Sequence, residues 1–97
     1  MREHLAKLRQ VYAAKLPAYL DAIERAIDAG APVEVRERAH RVRGSAGSYG
    51  FPEVSRAMAK IEGAVREAEE AGAAPDWQAV RTWLAEARVA AGTPLDS

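Results

Sequence analysis

Apolar side chains recur along this chain at steps of three and four residues, broken by glycine and proline at a few places. That rhythm restricts the fold to packed helices more than any other feature. Leu5, Leu8 and Tyr12 open the pattern, and Leu16, Leu20, Ile23 and Ile27 continue it. Pro17 falls inside this first stretch, where a lost hydrogen bond and a clash one turn back are expected to bend or restart the helix. Gly30 suits the residue just past a helix end, and Pro32 suits the first turn of the next helix. Val35, Ala39, Val42, Ala46 and Tyr49 then step by four, three, four and three. Phe51-Pro52 marks another start, followed by a narrow stripe of Val54, Met58, Ile61, Val65 and Ala68. Gly72-Ala73-Ala74-Pro75 punctuates again, with Asp76 as the N-cap of a last helix carrying Trp77, Val80, Leu84 and Ala87 inward.

Four helices joined by short connections predict an all-α, antiparallel up-down four-helix bundle with a short or split N-terminal helix. In a chain of 97 residues this is one domain over 1–97, with the helical bundle at about 3–91 and a frayed tail at 92–97. Alanine supplies roughly a fifth of the residues, which favours helix because it surrenders no side-chain entropy there. Asp21/Arg25, Glu34/Arg38, Glu37/Arg41 and Glu62/Arg66 are spaced i,i+4 with the acid first, as expected of a solvated helical surface.

The composition removes several classes of function. Lys and Arg number 14 and Asp and Glu 14, a formal charge of zero that does not suit bulk binding of nucleic acid. No cysteine is present, so neither a disulfide scaffold nor a thiolate metal site is available, and a reducing, cytoplasmic setting fits. No apolar run approaches the ~20 residues of a membrane span, and Met1-Arg2-Glu3-His4 lacks the apolar stretch of a signal peptide.

One segment departs from ordinary bundle sequence: Ala39-His40-Arg41-Val42-Arg43-Gly44-Ser45-Ala46-Gly47-Ser48-Tyr49-Gly50-Phe51. The apolar stripe runs through Ala39, Val42 and Ala46, which turns His40 about 100° away from it, beside the core and outward. Its helical neighbours include Arg36, Arg43, Gly44 and Gly47. An interior helical glycine costs about 1 kcal/mol against alanine, so two near one histidine suggest that bare backbone is wanted there. The competing reading is a helix end dissolving into a Gly-Ser loop beside an incidental surface histidine. Gly44 to Gly50 lacks the preceding strand and the Lys-Ser/Thr ending of a phosphate-binding P-loop, so no nucleotide binding and no autonomous kinase activity are expected. His4 has no phosphate-facing neighbours and is not a second candidate.

The string resembles the signature of histidine phosphotransfer (HPt) domains, His-x-x-Lys/Arg-Gly-Ser/Ala-x-x-x-x-Gly. It is met here by His40, Arg43, Gly44, Ser45 and Gly50, followed by Phe51 and the Met58/Ile61-Glu62 helix. The resemblance covers nearly the whole chain, including the Leu16-Pro17 step. It implies that His40 is the phosphoacceptor, attacking through Nε2, with Nδ1–H turned to a hydrogen-bond acceptor. The position of the third long helix that faces this nitrogen in the family falls on Glu62, one step around from the core residue Ile61 as His40 is from Ala39. The alternative for Glu62 is an exposed helical acid paired with Arg66. Arg43 stands where the family more often has Lys, one turn from His40, with a guanidinium fork that suits phosphoryl oxygens. Gly44 keeps the approach to the imidazole clear, while Ser45 and Ser48 have packing or loop roles. Arg36, Arg41 and Arg43 are expected to make the surroundings of His40 basic, with acidic charge lying elsewhere, as at Glu67, Glu69 and Glu70.

The function implied is that of a phosphorelay carrier. It would accept a phosphoryl group from a receiver aspartate or a histidine kinase and pass it to another response-regulator receiver aspartate. The partners implied are receiver domains and a sensor or hybrid histidine kinase, met through a transient interface. No cofactor and no metal site belong to the chain, and Mg²⁺ would come with the receiver. A monomer is expected, because the apolar stripes match what one bundle consumes. Two alternatives stand beside this: a helical adaptor that docks such partners without transfer, and the phosphotransfer domain excised from a chemotaxis-type kinase. A start at Met1 leans toward a free-standing protein.

Overall fold

The computed structural model describes residues 2–92. They form four helices and no strand: α1 (Arg2–Asp28), α2 (Pro32–Ser48), α3 (Pro52–Glu70) and α4 (Trp77–Ala91). Packing runs from α1 to α2 to α3 to α4 and back to α1. The ion pairs report the directions. Asp21 and Asp28 of α1 meet Arg88 and Arg81 of α4, so one numbering rises as the other falls. Arg36 and Arg43 of α2 meet Glu69 and Glu62 of α3 in the same reversed order. Sequence neighbours are antiparallel, as short connections require.

Each element follows from local chemistry. Gly30 and Gly50 adopt φ of 63° and 88°, a left-handed conformation that glycine enters without a Cβ penalty. The following amides, Ala31 and Phe51, then donate back to the carbonyls of Ala26 and Ala46 at 3.0 and 2.9 Å, closing α1 and α2. Pro32 and Pro52 begin the next helices at a position where the missing N–H is no loss. Asp76 caps α4, its Oδ1 accepting from the Ala79 amide at 3.2 Å.

The helix does not restart at Pro17. α1 is one helix of 27 residues, so the N-terminal helix is neither short nor split. The reason lies in which face the proline occupies. Its ring is exposed, while Tyr12, Leu16, Leu20 and Ile23 on the opposite face are buried and anchor the helix on both sides of it. Ala13, whose carbonyl lacks its amide partner, is only partly buried. At about 1.5 Å per residue α1 spans ~40 Å and sets the long axis of a body 47 × 20 × 17 Å.

One core cluster draws on all four helices, including Leu16, Leu20, Val35, Met58, Ile61 and Val80. The periodic stripes predict it well from Tyr12 onward. Before that, Leu5 is half exposed, since α1 there runs along the end of the shorter helices. The expected tail at 92–97 lies, apart from Gly92, outside the described residues.

Candidate functional site

α2 remains helical to Ser48, so Gly44 and Gly47 are interior helical residues and only Gly50 belongs to the turn. The reading of a helix dissolving into a Gly-Ser loop is thereby excluded. His40 stands one residue past the buried Ala39, and its side chain is 68% exposed. On α3 Glu62 follows the buried Ile61, but the two helices pack so closely at this level that the Glu62 side chain is only 2% exposed. It is the only buried charged side chain among the described residues.

Three donors converge on this carboxylate. His40 Nδ1 lies 2.9 Å from Oε2, Arg66 Nη2 lies 2.8 Å from the same oxygen, and Arg43 Nη1 lies 3.1 Å from Oε1. Glu62 is therefore not the exposed acid that the alternative reading described, although its pairing with Arg66 is present. Burial pushes the carboxyl toward higher pKa, but the hydrogen bonds and charges of His40 and Arg43 outweigh it and hold Glu62 below its ordinary value. Glu62 is thus ionised and can only accept. The proton of a neutral His40 ring must then sit on Nδ1, which leaves the lone pair on Nε2, across the ring from the contact.

The surroundings divide into support and open surface. Ser55 on α3 donates to the Arg43 carbonyl at 2.8 Å, tying the start of α3 to α2 beside the site. Ser45 Oγ hydrogen-bonds Tyr12 Oη at 2.7 Å and also reaches the Arg41 carbonyl, while Ser48 donates to the Gly44 carbonyl; both serines hold structure. Tyr12 in turn stacks on Tyr49 with ring centroids 5.0 Å apart. Gly44 and Gly47 differ. A Cβ at Gly47 would sit 3.4 Å from Ser55 Oγ, in ordinary contact, whereas one at Gly44 would meet nothing within 4 Å. Gly44 thus carries the helical cost of glycine with no packing reason inside the chain.

The expected basic surround needs correction. Arg36 pairs at 2.6 Å with Glu69, an acid expected to lie elsewhere, and Arg43 pairs with Glu62 itself, so two of the three arginines are neutralised. Nothing in helical periodicity sets the longitudinal alignment of α2 and α3, so the sequence could not place Glu69 opposite Arg36. Of the surface pairs, Glu34–Arg38 forms at 3.0 Å, whereas Asp21 turns to Arg88 on α4. A shallow hollow of about 290 Å³ beside His40 is lined by Arg36, Glu37, Arg41 and Arg66. Arg66 at this hollow was legible only as a surface partner of Glu62. Among the described residues no group of three or more His, Asp or Glu side chains could hold a metal ion, and no helix is long and apolar enough to cross a membrane.

The family model described as the Hpt domain matches residues 7–90. No curated protein and no solved structure matches the chain.

Proposed function

The chain belongs to the Hpt-domain family, whose members transfer phosphoryl groups on histidine in phosphorelays with kinases and receiver domains, and we propose that here His40 carries the group. The observation behind this reading is the 2.9 Å contact of His40 Nδ1 with the buried Glu62 carboxylate, on a ring that is otherwise exposed.

The step is an in-line displacement at phosphorus. The Nε2 lone pair attacks the aspartyl phosphate of a docked receiver, the N–P bond forms, and the P–O bond to the aspartate breaks, releasing its carboxylate. The ring becomes cationic and keeps its proton on Nδ1, donated in a hydrogen bond to Glu62, whose negative charge stabilises it. Return transfer to a second receiver aspartate reverses these bonds. Arg43, one turn along α2 and half exposed, supplies positive charge to the phosphoryl oxygens. Gly44 leaves the approach beside the ring free of side-chain atoms.

A receiver would dock over His40 and across Arg41 toward the seam of α1 and α2, where Val11 and Tyr19 are exposed around a hollow shared with Tyr12 and Tyr49. The interface would be small and transient, under roughly 1,200 Å². The chain acts as a monomeric carrier in the cytoplasm under this reading.

The test is transfer from a phosphorylated receiver or a histidine kinase. Acid-labile, alkali-stable label on the wild type and none on His40→Gln is the expected result. Absence of label from the wild type across a panel of donors would favour an adaptor that docks without transfer.

A further inference from the structure

Glu62 is served by two arginines that approach differently. Arg43 comes from α2, donates to Oε1, and stands on the same helical face as His40, one turn away. Arg66 comes from α3 itself, one turn beyond Glu62, and donates to Oε2, the oxygen that His40 Nδ1 also uses. Both guanidinium groups are about half exposed, whereas the carboxylate between them is sealed. Arg36, one turn before His40 on α2, is engaged by Glu69 instead.

When a phosphoryl group arrives at Nε2, Arg43 meets a second anion. Donors turned to phosphoryl oxygens are donors withdrawn from Oε1. A buried carboxylate that lost its only arginine would be a poorly compensated charge, and its grip on Nδ1–H would loosen when the ring turns cationic. The contact from Arg66 does not depend on a docked partner, because it runs within one helix at i,i+4 spacing.

We propose that Arg66 is a positioning residue for His40: it holds the Oε2 edge of Glu62 against Nδ1–H, so that the proton stays on that nitrogen and Arg43 is free to serve the phosphoryl group. The inference rests on His40 as carrier, but its test needs no phosphate. Arg66 does not touch the reacting atoms under this assignment, and its effect passes through Glu62.

The measurement is the ¹⁵N spectrum of the His40 ring in the folded, unphosphorylated protein at mildly alkaline pH. The wild type, Arg66→Met, Arg66→Lys and Arg43→Met would be compared, with circular dichroism confirming the helices. Wild type shows the Nδ1–H pattern. Arg66→Met loses its dominance, Arg66→Lys restores it, and Arg43→Met keeps it. An Arg66→Met ring spectrum that superimposes on wild type overturns the proposal, as does loss of the pattern in Arg43→Met alone. A shortened phosphohistidine lifetime in Arg66→Met with an unchanged tautomer would instead make Arg66 a direct phosphoryl contact. Failure of the carrier reading shows separately, as wild-type protein that takes no label.

Discussion

The seams α1–α4 and α2–α3 are built from the same residue types and do opposite things. On the first, Arg88 meets two acids, Asp21 at 2.9 Å and Glu24, and every side chain involved is at least a third exposed. On the second, one acid meets two arginines and a histidine, and the acid is sealed from water. Exposed pairs exchange hydration for contact at little net gain. A buried anion cannot do so; its neighbours are constrained to face it, and a histidine among them acquires a fixed proton and a fixed free nitrogen. Burial of the acid, more than the number of ion pairs, separates a candidate site from surface decoration.

That contrast can be broken in graded steps. The largest effect belongs to His40→Gln, which should abolish phosphate labelling while leaving thermal unfolding near wild type, since the ring is mostly exposed. Gly44→Leu comes next: a Cβ there meets nothing within 4 Å in the free bundle, so the helices should persist while transfer is blocked. Normal transfer by a folded Gly44→Leu protein would sink the steric role, and Gly44→Ala should raise stability by about 0.5–1 kcal/mol in denaturant titration.

Glu62→Gln keeps the shape and removes the charge. Transfer onto His40 should slow by about tenfold or more, equivalent to ~1.4 kcal/mol at the barrier. The same variant carries a pH signature. Glu62 is held below its ordinary 4.5 in the folded chain, so its contribution to stability is present above that value and is lost as pH falls through the lower, folded one. Wild type should therefore lose stability more steeply than Glu62→Gln on acidification below about pH 4.5. Parallel acid limbs would remove the anion from the account. The smallest effect is expected on the other seam, where Arg88→Ala should cost no more than about 1 kcal/mol and leave transfer unchanged.

Much of this was legible in the chain. The steps of three and four gave four helices, the Gly30-x-Pro32 and Gly50-Phe51-Pro52 punctuation gave two of their boundaries, and the run from His40 to Gly50 gave the family. Three things were not. Pro17 reads as a bend or restart because sequence does not say that its ring faces solvent while buried residues clamp both sides. Glu62 reads equally as a ligand of His40 and as a partner of Arg66, because it is one turn from the arginine in sequence and opposite the histidine only in space; it is both. Glu69 opposite Arg36 depends on the register of α2 against α3, which the turn at Gly50 and the packing of Phe51 fix, and no periodicity records it.

The central claim is that the buried carboxylate dictates which nitrogen of His40 reacts. Correlation of ³¹P with ¹⁵N in the phosphorylated protein identifies that nitrogen directly. Phosphorus coupled to Nε2, with the proton retained on Nδ1, is the predicted result; phosphorus on Nδ1 would contradict the account.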